Sequence, residues 1–256
     1  MGVGAIASAM PESVGPVLGV LGGLGPAATA DFLSKFTEAT DASVDQEHIA
    51  SITYQNPSTP DRSTAILQGG ESPLPALLHG IRFLNGVGVD LIAIPCNSSH
   101  HWFDDLVAAS EAPIANIVDA VAEQIACDRG APMALGLLST DGTAKSGVYS
   151  LLGERGHTVL DLTDLGELNP VPQGIHAVKA GDLEEGRRLF LEAIDLFRQR
   201  GAEGIIFGCT EVSAALGGTN LEGDLPMWDS SEALARACAK RLSAKRDSRN
   251  ARPEEQ

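Results

Sequence analysis

Two short stretches of this chain place a cysteine where an apolar run gives way to small polar residues. In "LIAIPCNSSH" (91–100) Cys96 is followed by Asn97, Ser98 and Ser99; in "GIIFGCTEVS" (204–213) Cys209 is followed by Thr210 and Glu211. An apolar run that stops this way reads as a strand end leading into a helix start, where free backbone N–H groups stabilise a thiolate and can bind a carboxylate. Two such thiols on opposite faces of a cleft could invert a carbon stereocentre. One, as thiolate, removes the hydrogen from one face; the other, as thiol, delivers a hydrogen to the opposite face. That chemistry formally requires neither a metal nor an organic cofactor. It does require one thiol pKa lowered from about 8.5, water kept out and the substrate carboxylate held still.

The residues alone leave a second reading open, because free cysteine is commonly a buried, inert small hydrophobe. For Cys127 and Cys238, each amid helical residues, the inert reading is favoured. Metal binding is disfavoured for the other two: no CxxC or His-rich spacing accompanies them, and "SHH" (99–101) is a weak ligand signal.

The elements that must position these thiols follow from periodicity. Strands are expected at 16–22, 49–54, 89–95, 113–117, 133–139, 157–162, 203–209 and 226–230, four in each half of the chain. Helical patterns lie between them. Residues 26–40 carry Phe32, Leu33 and Phe36 on one face, with Pro26 suited to a first turn. Residues 183–200 carry Leu183, Leu189, Phe190, Ile194 and Phe197, and a Ser-capped terminal helix is expected over 230–242. This alternation predicts an α/β fold of two similar lobes, each a parallel sheet flanked by helices, which would bind ligand in the cleft beyond the strand ends. The expected division is 14–113 plus 225–245 for the first lobe and 114–224 for the second, with flexible tails at 1–13 and 246–256.

Length and composition narrow the function. A chain of 256 residues buries an ample core, and a net charge of −16 argues against nucleic acid and anionic membrane surfaces as partners. The N-terminal residues lack the pattern of a secretory signal and no apolar run is long enough to span a bilayer, so a cytoplasmic protein with four free thiols is expected. The cluster "GVLGGLGPAATA" (19–30) contains Gly23-x-Gly25-x-x-Ala28, a formal dinucleotide fingerprint. The next strand ends in amides rather than the acidic residue a ribose needs. A tight strand-to-helix turn is the favoured reading, with a wall for a small anion as the alternative.

Taken together, "GVLGGLGPAAT", "DQEH", "NPSTPDRS", "PCNSSH", "GLLSTDGTAKSGVY", "VKAGD" and "GCTEVS", spread over 16–242, resemble the cofactor-independent aspartate/glutamate racemase family, and within it the aspartate racemase branch. The resemblance implies two pseudo-symmetric lobes, an interdomain active site, two-base racemisation without pyridoxal phosphate, and a homodimer. It makes Cys96 and Cys209 the two catalytic cysteines. It further implies that Arg62 and Lys179 bind substrate carboxylates and that Asn56, Asn97, Ser98, Thr210 and Glu211 line the site, with Thr140, Gly142 and Thr143 in a nearby loop. Aspartate's two carboxylates suit this set, since Arg offers a planar fork and Lys a point charge.

Two departures bear on the substrate. Members of the aspartate branch often carry a tyrosine shortly before the lysine motif, whereas "QGIHAVKAGD" has His176 and no tyrosine. After Cys96, "NSSHHW" adds His101 and Trp102, which could reshape a wall. Aspartate is the expected substrate. Glutamate, another amino acid, a same-fold decarboxylation or isomerisation of a small diacid, and a ligand-binding regulatory role are the alternatives.

Overall fold

The computed structural model describes residues 15–217 and 225–250. All eight expected strands form: β1 (Val17–Gly22), β2 (Ala50–Gln55), β3 (Leu91–Ala93), β4 (Ile114–Ala115), β5 (Ala134–Leu138), β6 (Thr158–Leu160), β7 (Gly204–Phe207) and β8 (Met227–Asp229). They make two wholly parallel four-stranded sheets, ordered β2-β1-β3-β4 and β6-β5-β7-β8. The second order repeats the first, so β3 and β7, the strands that lead into the two cysteines, hold equivalent places. In each sheet the chain reverses direction of winding beside the first strand, the point where open α/β sheets form a crevice beyond their carboxyl ends.

The helices are α1 (Pro26–Ala39), α2 (Arg62–Gln68), α3 (Leu74–Val87), α4 (Phe103–Ala109), α5 (Ile117–Asp128), α6 (Asp141–Lys145), α7 (Ser150–Glu154), α8 (Pro170–Lys179), α9 (Leu183–Gln199), α10 (Thr210–Leu216) and α11 (Ser230–Asn250). Helix α1 starts with Pro26 in its first turn and buries Phe32 and Phe36, whose rings stack 6.2 Å apart. Helix α9 buries Leu189, Phe190, Ile194 and Phe197, but Leu183, its first residue, is exposed.

Strand pairing moves both expected lobe boundaries. β4 pairs with β3, which carries the first sheet past 113, and β8 pairs with β7, so residues 227–229 belong to the second sheet. Only α11 returns to the first lobe, packing on α1 and α5. One apolar core consequently joins Leu18, Phe32 and Leu91 to Leu137, Ile206, Trp228 and Leu234. Helix α11 also runs through Asn250, beyond the expected tail boundary at 246. Its last turns lack apolar periodicity and are tied by charge instead: Lys245 and Arg249 pair with Asp90 at 2.7 and 2.6 Å, and Arg246 donates to the Glu47 carbonyl. The expected tails at 1–13 and 251–256 lie outside the described residues.

Candidate active site

Beyond the strand ends, the chain leaving β3 passes through Ile94 and Pro95 to Cys96, and the chain leaving β7 passes through Gly208 to Cys209. Both cysteines line one cavity of about 50 Å³. The first lobe contributes Leu24, Asp61, Arg62, Ser63 and Pro95 to Ser98; the second contributes Thr140, Thr143, Lys179 and Gly208 to Glu211. Of the residues singled out in the sequence, Cys96, Cys209, Arg62, Asn97, Ser98, Thr140, Thr143, Lys179, Thr210 and Glu211 come together here. Asn56 does not. Its side chain accepts from Ser58 N–H within its own turn, a local bond that Asn readily makes. His176 and His101 are exposed, and neither they nor Trp102 line the cavity.

The two thiols stand in different environments. Cys96 is buried, with its Sγ 3.5 Å from the Ser98 hydroxyl. Its carbonyl is held by the Ser99 hydroxyl at 2.7 Å and by the His100 ring at 2.9 Å. Ile117 N–H donates to His100 Nε2, so the proton of this neutral ring sits on Nδ1 and is donated to the Cys96 carbonyl. Burial lowers the His100 pKa to about 4, which keeps the ring in that form. Cys209 caps α10 and donates from Sγ to Glu211 Oε2 at 2.8 Å. Burial and the adjacent Glu211 carboxylate push this thiol well above its ordinary value, against the smaller pull of Lys179. Glu211 Oε2 also accepts from the Thr210 hydroxyl, while Oε1 lies 3.9 Å from Lys179 Nζ. The arrangement therefore contains a thiol held protonated on one wall and a thiol beside a hydroxyl on the other.

Arg62 is not a free fork. Its Nη atoms donate to the carbonyls of Thr59, Pro60 and Leu24, the last at 2.6 Å, while Nε is buried without a partner among the described residues. The guanidinium is thus a fixed positive charge with one unused donor. Asp61, beside it, caps α2 by accepting from Thr64 N–H; this bond and the charges of Arg62 and Lys179 outweigh burial and lower its pKa. Asn97 spends its amide on structure: Nδ2 donates to the Ser230 hydroxyl at 2.9 Å and Oδ1 accepts from the Tyr149 hydroxyl at 2.7 Å. Thr140 caps α6, accepting from Thr143 N–H and donating to the Thr143 hydroxyl.

Two glycines allow this closeness. Gly23 has φ +87°, and a Cβ there would meet the Asn56 backbone at 2.4 Å, so the glycine cluster is the tight turn expected of it; the Gly23 N–H is already bound to Thr29 Oγ1. A Cβ on Gly142 would lie 2.5 Å from Ser63 Oγ, where α6 of one lobe meets α2 of the other. The lining residues Leu24, Asp61, Ser63, Pro95 and Gly208 were not singled out from sequence, although each flanks a motif residue. All four cysteines are free; Cys238 is buried, with its pKa pushed up to about 12, whereas Cys127 faces solvent rather than the core. Among the described residues no helix is long and apolar enough to cross a membrane.

Known proteins share this organisation. The chain is 25% identical to the broad specificity amino-acid racemase RacX of Bacillus subtilis over 86% of its length and 96% of that protein's. An aspartate racemase from Picrophilus torridus superposes with a TM-score of 0.78 at 32% identity, over 90% of this chain and 95% of the other. An aspartate racemase homologue from Pyrococcus horikoshii does so with a TM-score of 0.71 at 26% identity, over 88% and 98%. Residues 21–238 match the Asp/Glu/hydantoin racemase family, and it is to this family of racemases that the chain belongs.

Proposed function

We propose that this protein racemises aspartate, or a closely related acidic amino acid, by two-base proton transfer between Cys96 and Cys209, without pyridoxal phosphate. The observation that carries the reading is the placement of both thiols, from equivalent strand ends of two sheets, on one narrow cavity. In one direction the Cys96 thiolate takes the α-hydrogen as a proton, leaving its electron pair on the α-carbon and delocalised into the carboxylate. Cys209 then gives its proton to the opposite face. The reaction ends with Cys96 protonated and Cys209 as thiolate, the state needed for the reverse direction. Charge developing on the carboxylate is met by the fixed Arg62 guanidinium with its free Nε–H, and by Lys179. These two cations within one cavity favour a substrate with two carboxylates. Two structural relatives, at 32% and 26% identity, are an aspartate racemase and an aspartate racemase homologue, which supports aspartate as the substrate. A cytoplasmic homodimer is part of the same proposal.

The test is incubation of the purified protein with L-aspartate in deuterated water. The expected result is loss of enantiomeric excess together with deuterium at the α-carbon. Failure of both, for aspartate, glutamate and a panel of other amino acids, contradicts the proposal.

A further inference from the structure

A second cavity, of about 380 Å³, lies against the first, and the two share Lys179, Thr210 and Glu211 as walls. Its remaining walls are small and mostly apolar. Pro26, Ala27 and Ala28 come from the first turn of α1, Val178 from the end of α8 and Ala214 from α10. The catalytic cavity has little room for anything longer than a short side chain. The annex lies just past Lys179, one of the two cations assigned above to the substrate's carboxylates.

We propose that this annex receives the side chains of longer amino-acid substrates, and that the class it takes is unbranched and apolar, of methionine size. The inference rests on the racemase reading and extends its substrate range. The partition between the cavities can open: Lys179 is half exposed, and its 3.9 Å approach to Glu211 is a loose ion pair that water screens. A methylene chain passing it reaches alanine, proline and valine surface, where burial of apolar area is favourable. A long anionic side chain is disfavoured there: Glu211 already faces the Lys179 ammonium, and Lys35, which pairs with the annex residue Asp31 at 2.6 Å, is also bound to Asp229 at 2.7 Å, so no unpaired cation among the annex walls awaits a second carboxylate. Glutamate would gain nothing from the annex that aspartate does not already obtain without it.

The test measures α-hydrogen exchange in deuterated water with aspartate, glutamate, methionine and norleucine, for the wild type and for Ala214→Phe and Ala27→Phe. The two positions are exposed and come from different helices, α1 and α10, so neither substitution replaces a core side chain. The wild type is expected to exchange methionine and norleucine as well as aspartate. Each variant is expected to lower the ratio of methionine to aspartate kcat/KM by at least about tenfold, the scale on which apolar pockets sense a methylene. Exchange of aspartate but not of methionine or norleucine overturns the annex alone, as does an unchanged ratio in both variants. Exchange of no amino acid overturns the racemase reading and the annex with it. Should one variant fail to fold, the other decides.

Discussion

Cys209 Sγ donates a hydrogen bond to Glu211 Oε2 at 2.8 Å, so a carboxylate two residues further on holds the proton on this thiol. Cys96 has a hydroxyl, Ser98 Oγ, as its sulfur's neighbour instead. The two strand ends are equivalent in the fold and unequal in chemistry. On the mechanism proposed above, this asymmetry sets Cys209 as the acid in the direction in which Cys96 takes the α-hydrogen.

Replacing Glu211 by Gln removes the charge that opposes thiolate formation and keeps the side chain's size. The pH at which Cys209 alkylation by iodoacetamide reaches half its maximal rate is expected to fall. Peptide mapping by mass spectrometry separates Cys209 from Cys96, Cys127 and Cys238. An unchanged profile would mean that Glu211 does not set this proton.

Arg62→Lys tests the fixed guanidinium. A lysine ammonium cannot serve the carbonyls of Thr59, Pro60 and Leu24 and also present the donor that Arg62 offers from Nε. Aspartate kcat/KM is expected to fall about 10- to 100-fold, the scale of a lost hydrogen bond to a charged group. Thermal unfolding distinguishes this from a collapsed loop. Wild-type turnover in the variant would remove Arg62 from the substrate's contacts.

The buried bond from the Tyr149 hydroxyl to Asn97 Oδ1 crosses between the lobes immediately beside Cys96. Tyr149→Phe leaves that amide oxygen buried and unmet, at an expected cost of about 1–3 kcal/mol. Urea unfolding midpoints measure it. A loss below a few tenths of a kcal/mol would show that water or a rotated amide replaces the bond.

His100 gives a pH dependence whose sign is fixed. Its folded pKa, about 4, lies below the ordinary 6.5, so its contribution is complete above pH 6.5 and is lost as pH falls toward 4. Over that window the unfolded chain binds a proton that the folded chain refuses, and the loss approaches about 3 kcal/mol. His100→Asn keeps one donor and one acceptor without titrating. The difference in stability between wild type and variant should therefore narrow or reverse from pH 7 to pH 4.5, and a constant difference would contradict the assignment.

The residues that were legible in sequence are those announced by an abrupt change of pattern. Cys96 and Cys209 each end an apolar run before a polar turn, and parallel α/β topology sends such ends to one crevice. Side-chain commitments to partners far away in the sequence were not legible. Nothing near Asn97 in the chain shows that Ser230 and Tyr149 will use up its amide, and nothing near Arg62 shows that the Leu24 carbonyl will. Asn56 belongs to a motif yet turns toward its own loop. The last turns of α11 escaped for a related reason: hydrophobic periodicity ends with Leu242, whereas the groups that fix Lys245, Arg246 and Arg249 are Asp90 and Glu47, far away in sequence.

In the proposed mechanism each cysteine serves one face of the substrate carbon. Cys96→Ser and Cys209→Ser variants incubated separately with L- and D-aspartate in deuterated water test it most directly. Racemisation is expected to fall by about 10²–10⁴-fold in both variants. Cys209→Ser is expected to retain α-hydrogen exchange with one enantiomer only and Cys96→Ser with the other only. Exchange of both enantiomers by either single-cysteine variant, or loss of the same enantiomer in both, would contradict the two-thiol mechanism.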